Sequence, residues 1–290
     1  METTSIPRVP NISLRRRVTD HVMTGLAILT VIIVLAPLVA VFGDLVYKGA
    51  SSLNWAFFTQ TPKPVGEIGG GMANAIVGSV LILGVASIIG VPFGIGAGIY
   101  LAEYGRNRLG SAIRFTADVL NGVPSIVMGI VAWAIVVLYQ RHFSALAGGV
   151  ALAIMMVPTI CRTTEEMLLL VPRSLREAAY GLGVPRWRTT LSITLRTATS
   201  GVITGVMLAF ARIAGETAPL LFTTLGNQYW NLQPNQPTAA LPLQIYVYAN
   251  SPYDDWHRQA WAGSLVLIIL IVGAVSAVRY VVRRGTFGTA

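Results

Sequence analysis

The feature that most constrains this 290-residue chain is a set of apolar runs long enough to cross a bilayer. About 30 Å of hydrocarbon takes roughly 20 mostly apolar residues in a helix. Helix is the expected form, because a backbone in lipid must satisfy its own N–H and C=O groups. Six runs qualify. Val22 to Gly43 carries no charge, between Asp20 and Asp44. Ala73 to Leu101 lies within the uncharged stretch Ile68 to Ala102, and Pro92 should kink it. Val119 to Gln140, entered from about Ala112, should bend at Pro124. Phe143 to Cys161 follows, with Pro158 near its end. Thr197 to about Phe222 is interrupted by Arg212 and Glu216, and Gln259 to Val278 closes the set. The expected fold class is all-α, a polytopic membrane protein with six transmembrane helices.

Composition excludes the main competitors. Charged residues make up 11% of the chain, against roughly 25% in a typical soluble domain. The 54% apolar content is far too high for a disordered chain. Cys161 is the single cysteine, so no intrachain disulfide and no multi-cysteine metal cluster can form. It reads as a small apolar packing residue. His21, His142 and His257 stand apart at run edges, so no metal site is expected.

The net charge of +9 would suggest nucleic acid in a soluble protein. Its distribution points to the membrane instead. With six spans, one side receives sixteen Lys and Arg and the other four; Arg212 sits within a span. Cytoplasmic loops collect Lys and Arg, so both termini are expected in the cytoplasm, with no nucleic-acid partner. The expected organisation is a cytoplasmic N-terminal tail over residues 1–20, a six-helix transmembrane domain over 21–284, and a C-terminal tail over 285–290. The first run lies far from Met1 and lacks a small-residue cleavage site, so it is expected to be retained. Outer segments around Tyr229-Trp230 and Tyr246 to Tyr248 suit an interfacial aromatic belt. Asp118, four residues after Arg114, reads as a member of an interfacial ion pair.

The loop at about 162–196 reads as a folded element on the cytoplasmic side. Ser174 and Glu177 have capping-box spacing. Ala178 and Ala179 favour helix without bulk. Gly181 and Gly183 can end it in the left-handed region, and Pro185 permits a second helix through Trp187. The pattern Glu177-Ala178-Ala179, Gly183, Ile193, Leu195 resembles the signature of ABC importer permeases; Arg196 stands where that family usually has Pro. The resemblance implies a type I importer fold. It also implies that the element couples to an ATPase subunit, through Ser174, Glu177, Ala178, Ala179, Gly183 and Trp187. This chain has no glycine loop ending in Gly-Lys-Ser/Thr. It is therefore not expected to be an enzyme or to hold a cofactor itself; ATP and Mg belong to the partner.

Arg212 and Glu216, four apart, are expected on one helical face. A charge at mid-membrane costs about 2.5–3.5 kcal/mol on insertion scales, and an i, i+4 pair returns only about 0.2–0.5 kcal/mol. Pairing within the helix does not account for them, which leaves two readings: a structural ion pair holding helices together, or a polar pathway whose solute is an anion. The run from Ala211 to Phe222 is similar to the signature of PstA-type permeases of bacterial phosphate ABC importers. Gly70 to Ile76, Asn121 to Ser125 and Leu241 to Tyr246 agree with it.

That resemblance implies a phosphate pathway in a bacterial plasma membrane. Its implied partners are a PstC-like second permease, two PstB-like ATPase subunits and a PstS-like phosphate-binding protein outside. Arg212 would hold the oxyanion, Glu216 would accept from a phosphate hydroxyl, and Thr217 would line the same wall. The alternatives are a permease for molybdate or sulfate, an ATPase-independent carrier, and a membrane phosphate-sensing scaffold.

Overall fold

The computed structural model describes residues 14–286, and those residues are mostly helical. Arg8 and the rest of residues 1–13, and the last four residues of the expected C-terminal tail, lie outside the described residues. The helix α1 (Leu14–Ser52) begins inside the segment expected as a tail. Residues 14–47 form a unit of their own, with large apolar side chains such as Leu26, Ile33 and Val41 exposed. A helix apolar on every face is built for lipid or for another chain, not for water.

The second unit begins at Lys48. A short α2 (Trp55–Thr59) is capped by Asn54, whose Oδ1 accepts from the Phe57 N–H at 2.8 Å. Then come α3 (Ala73–Tyr104), α4 (Arg108–Gly122), α5 (Ser125–Ala132), a π-helical turn at Trp133–Val137, and α6 (Leu138–Gln140). After α7 (Ala145–Leu169) lie α8 (Arg173–Gly181), α9 (Arg186–Thr189) and a second π-helical turn at Thr190–Thr194. The chain continues through α10 (Leu195–Ala214), α11 (Ala218–Leu221), α12 (Leu241–Ala249) and α13 (Asp254–Thr286). Five continuous helical stretches are long and apolar enough to span, and a sixth span exists only as a bent pair.

That pair corrects the expected third span. Arg108–Gly122 and Ser125–Gln140 meet at 109°, a break and not a bend. The cause is local: Val123 is forced out of the helical region by the proline after it, and Val123 and Pro124 are both extended, with ψ of 134° and 137°.

The core is a seam between α3 and α7. Ile82, Ala86, Leu152, Met156 and Ile160 are fully buried, joined by Met128, Ala209, Ile213 and Leu220 from neighbouring elements. Along α3 the seam is lined by Gly90, Gly94 and Gly98, facing Met156, Ile160 and Thr164 of α7. Spacing of four on both helices brings the backbones close, as small residues do between membrane helices. The α3 helix runs on through Pro92.

α7 extends well beyond the expected end at Cys161, because its charges are neutralised internally. Glu165, only 3% exposed, accepts from Arg114 Nε at 2.6 Å and from an Arg162 Nη at 2.7 Å. Arg114 also donates to the Gly105 and Leu101 carbonyls at 2.9 and 3.0 Å. Asp118 pairs with Arg162 at 3.0 Å, not with Arg114. Much of the expected loop 162–196 is therefore helix, and only residues 170–185 connect.

At the other end of α3, Asn74 donates to the Asn227 carbonyl at 2.7 Å and Ser79 Oγ accepts from the Leu241 N–H at 2.7 Å. These bonds seat the long connection between α11 and α12 on the first turns of α3. Tyr229 and Trp230 in that connection are exposed, as an aromatic belt requires. Tyr248 is buried instead and stacks on Trp256 at 4.3 Å between ring centroids. Burial pushes its hydroxyl pKa up, against a smaller opposing effect of a Gln244 hydrogen bond.

Candidate functional site

The segment that ends α10 holds the charged residues singled out by the sequence, but not on one helical face. α10 stops at Ala214 and Gly215 caps it. Glu216 lies past the helix end, its N–H donating to the Ile213 carbonyl at 3.2 Å. Arg212 sits in the last turn. There the free carbonyls carry partial negative charge, so the helix end itself favours a cation. The helix end thus offsets part of the cost of the charge, which i, i+4 pairing does not.

Arg212 is exposed, and among the described residues it makes no hydrogen bond or ion pair. Glu216 and Thr217 are half-buried beside it in sequence. The Thr217 hydroxyl donates to the Pro242 carbonyl at a long 3.5 Å. The position of this broken helix end is set by close backbone approach. A Cβ on Gly129 of α5 would lie 2.6 Å from Pro219 Cα, just after Thr217. Leu220 anchors the same turn in the core. The result is an unpaired guanidinium, with five fork-like donors free, at the end of a helix whose continuation is broken. Discontinuous helices of this kind supply backbone and side-chain groups at transport sites.

The second candidate region is α8 with α9. Ser174 does not cap α8; Pro172 occupies the N-cap position, and Ser174 is an exposed second residue of the helix. The fixed φ of proline and its carbonyl, which accepts from Leu175 N–H at 3.2 Å, start the helix in place of a side chain. Gly183 ends it with φ of 77°, whereas Gly181 remains helical. The Gly183 N–H donates to the Tyr180 carbonyl at 2.9 Å and the Val184 N–H to the Ala179 carbonyl at 3.1 Å, a Schellman motif.

Ala179 is buried, while Glu177, Ala178 and Gly183 are exposed. Leu182, at 84% exposed, and Trp187, at 62%, add apolar area to the same short stretch. Leu182 was not among the residues expected to dock a partner. Its place beside a left-handed glycine was the available signal. Among the described residues no three His, Cys, Asp or Glu side chains gather as metal ligands.

A profile of the family described as "Binding-protein-dependent transport system inner membrane component" matches residues 94–285, well over half of the chain. The chain belongs to that family. It is therefore an inner-membrane component of an importer whose solute arrives on a binding protein and whose ATP hydrolysis occurs on a separate ATPase subunit.

Among curated relatives, the phosphate transport system permease protein PstA of Yersinia pestis is 48% identical over 89% of this chain and 88% of its own length. The PstA of Haemophilus influenzae is 46% identical over 89% and 91% respectively. PstA 1 of Mycobacterium tuberculosis is 35% identical over 94% and 92%. Among solved structures, an inward-facing form of the MetNI methionine ABC transporter aligns with a TM-score of 0.57. That match is 18% identical and covers 73% of this chain and 97% of the other. It carries the permease fold alone.

Proposed function

We propose that this chain is the PstA-type permease subunit of an ATP-driven importer of inorganic phosphate. It would form the pathway together with a PstC-like second permease. Two PstB-like ATPase subunits would bind ATP and Mg and dock on α8 and α9, and a PstS-like protein would deliver phosphate from outside. Both termini and α8 would then face the cytoplasm, as the sixteen-to-four distribution of basic residues supports.

The observation that carries the reading is the free guanidinium of Arg212 at the broken end of α10, in a chain whose relatives are named phosphate permeases. A charged group left without a partner in a membrane protein faces a cavity or pathway. An oxyanion supplies what it lacks, through charge-assisted and bidentate hydrogen bonds. Glu216 extends the chemistry. Phosphate at neutral pH still carries a proton and sulfate does not, so a carboxylate at the wall accepts from the first and repels the second. Thr217 adds a hydroxyl held only loosely by Pro242.

The coupling face follows from exposure. Glu177, Ala178, Leu182 and Trp187 present a small, partly apolar platform that a partner groove can cover. The test is reconstitution of the complete importer in proteoliposomes, with radiolabelled inorganic phosphate and competing sulfate or molybdate. Uptake that needs ATP and resists both competitors supports the reading. Equal competition by sulfate or molybdate would replace phosphate with a broader oxyanion class.

A further inference from the structure

One largely buried arginine joins α8 to the ends of two long helices. Arg176 Nη2 lies 3.1 Å from Glu103 Oε1 and donates to the Leu168 carbonyl at 2.7 Å. Glu103 is in the last turn of α3 and Leu168 in the last turn of α7. Both partners of the ion pair are nearly inaccessible, at 15% and 8% side-chain exposure.

Position explains the charges. A carboxylate in the last turn of a helix opposes the helix dipole, so Glu103 is unfavourable where it stands unless a cation offsets it. A cation in contact with the last carbonyls of α7 is favourable for the same reason. One guanidinium meets both needs, and it comes from α8. The arrangement is two-faced: Arg176 and Ala179, three apart, turn inward, while Leu175, Glu177 and Ala178 remain exposed. A second contact follows the same line, with the Arg186 guanidinium of α9 5.7 Å from the ring centre of Tyr104, the last residue of α3.

The pair is also incompletely satisfied. Arg176 Nε and Glu103 Oε1 are buried without an aligned hydrogen-bond partner, so charge alone holds the carboxylate. In a static core such atoms are costly. At a joint between two bodies that move, a side-on pairing of Arg176 Nε with Glu103 would satisfy both in a second arrangement.

We infer that Arg176 is the positioning residue that transmits displacement of α8 to α3 and α7, with Glu103 as its counter-charge. The inference rests on the proposal that an ATPase docks on the exposed face of α8. Arg176 lies on the inward side of α8, away from the exposed face proposed to meet the ATPase.

The test uses the complete importer in proteoliposomes, comparing wild type with Arg176→Ala, Arg176→Lys and Glu103→Gln. Three quantities are read: the ATPase co-purifying with the permease, the ATP hydrolysis rate, and inorganic phosphate transported per ATP. Arg176→Ala should keep its ATPase and hydrolyse ATP within about twofold of wild type, yet transport at least tenfold less phosphate per ATP. Glu103→Gln should fall in the same direction by less, because the Leu168 bond survives. Arg176→Lys should recover part of the ratio. An unchanged ratio in Arg176→Ala overturns the inference, and so does loss of the ATPase from that variant alone. If Arg176→Ala yields no protein, an unchanged ratio in Glu103→Gln overturns it. Failure of wild type to retain an ATPase sinks the proposed function instead, which keeps the two failures distinct.

Discussion

Replacing single glycines on α3 by alanine should separate packing from propensity within one helix. The ideal Cβ at Gly98 would sit 2.5 Å from Thr164 Cβ and 2.7 Å from the Cys161 carbonyl. At Gly94 it would sit 2.7 Å from Ile160 Cβ, and at Gly90 3.2 Å from the flexible side chain of Met156. At Gly96, on the same helix, nothing lies within 4 Å. Carbon contacts are comfortable at about 3.5–4.0 Å, so at Gly98 the helices must part by about 1 Å, against backbone that cannot turn aside. Overpacking of this kind costs about 1–3 kcal/mol. The gain in helix propensity from Gly to Ala returns up to about 1 kcal/mol.

The net expectation is about 1–2 kcal/mol lost at Gly98 and Gly94, near zero at Gly90, and up to about 1 kcal/mol gained at Gly96. Thermal unfolding of the purified permease in detergent should rank the variants Gly96→Ala, Gly90→Ala, Gly94→Ala and Gly98→Ala from most to least stable. A Gly98→Ala protein melting at or above Gly96→Ala would refute the claim that this seam is closely packed.

Glu165→Ala should cost about 3 kcal/mol, the lower end for breaking a buried pair, since both arginines it neutralises are about 30% exposed; thermal unfolding several degrees below wild type is the readout, and an unchanged melt would make the cluster ornamental. Gly183→Ala should lose about 1–2 kcal/mol from backbone strain alone, because its φ is 77° and the space around it is open. Gly181→Ala, equally open but helical, should lose nothing. Equal melts for the two glycine variants would count against the Schellman turn between α8 and α9.

Much of the architecture was legible because lipid permits so little. Where a run was free of charge, as in Val22 to Gly43, its helix was readable directly. Errors arose where charges have distant partners. Arg162 and Glu165 looked like the end of a span, yet Glu165 is neutralised by Arg114, 51 residues away, so α7 continues to Leu169. The pairing of Arg176 with Glu103 is illegible for the same reason.

Pro124 announced a bend in the helix, but the 109° break goes with what α5 packs against, including the close approach of Gly129 to Pro219. Arg212 and Glu216 fit a helical spacing. Gly215 between them and Pro219 beyond them were the signals that the helix stops, and each alone is tolerated inside a helix. The glycines at 90, 94 and 98 were not singled out in the sequence, although their spacing of four places them on one face; what they pack against became visible only with α7 in place.

The central claim is that the free guanidinium of Arg212 passes phosphate when a separate ATPase drives the permease. The direct measurement is ATP-dependent uptake of inorganic phosphate by proteoliposomes holding the assembled importer with Arg212→Ala. The expected result is a complete complex that retains its ATPase and takes up no phosphate above background. Uptake at the wild-type rate would remove Arg212 from the pathway and contradict the account.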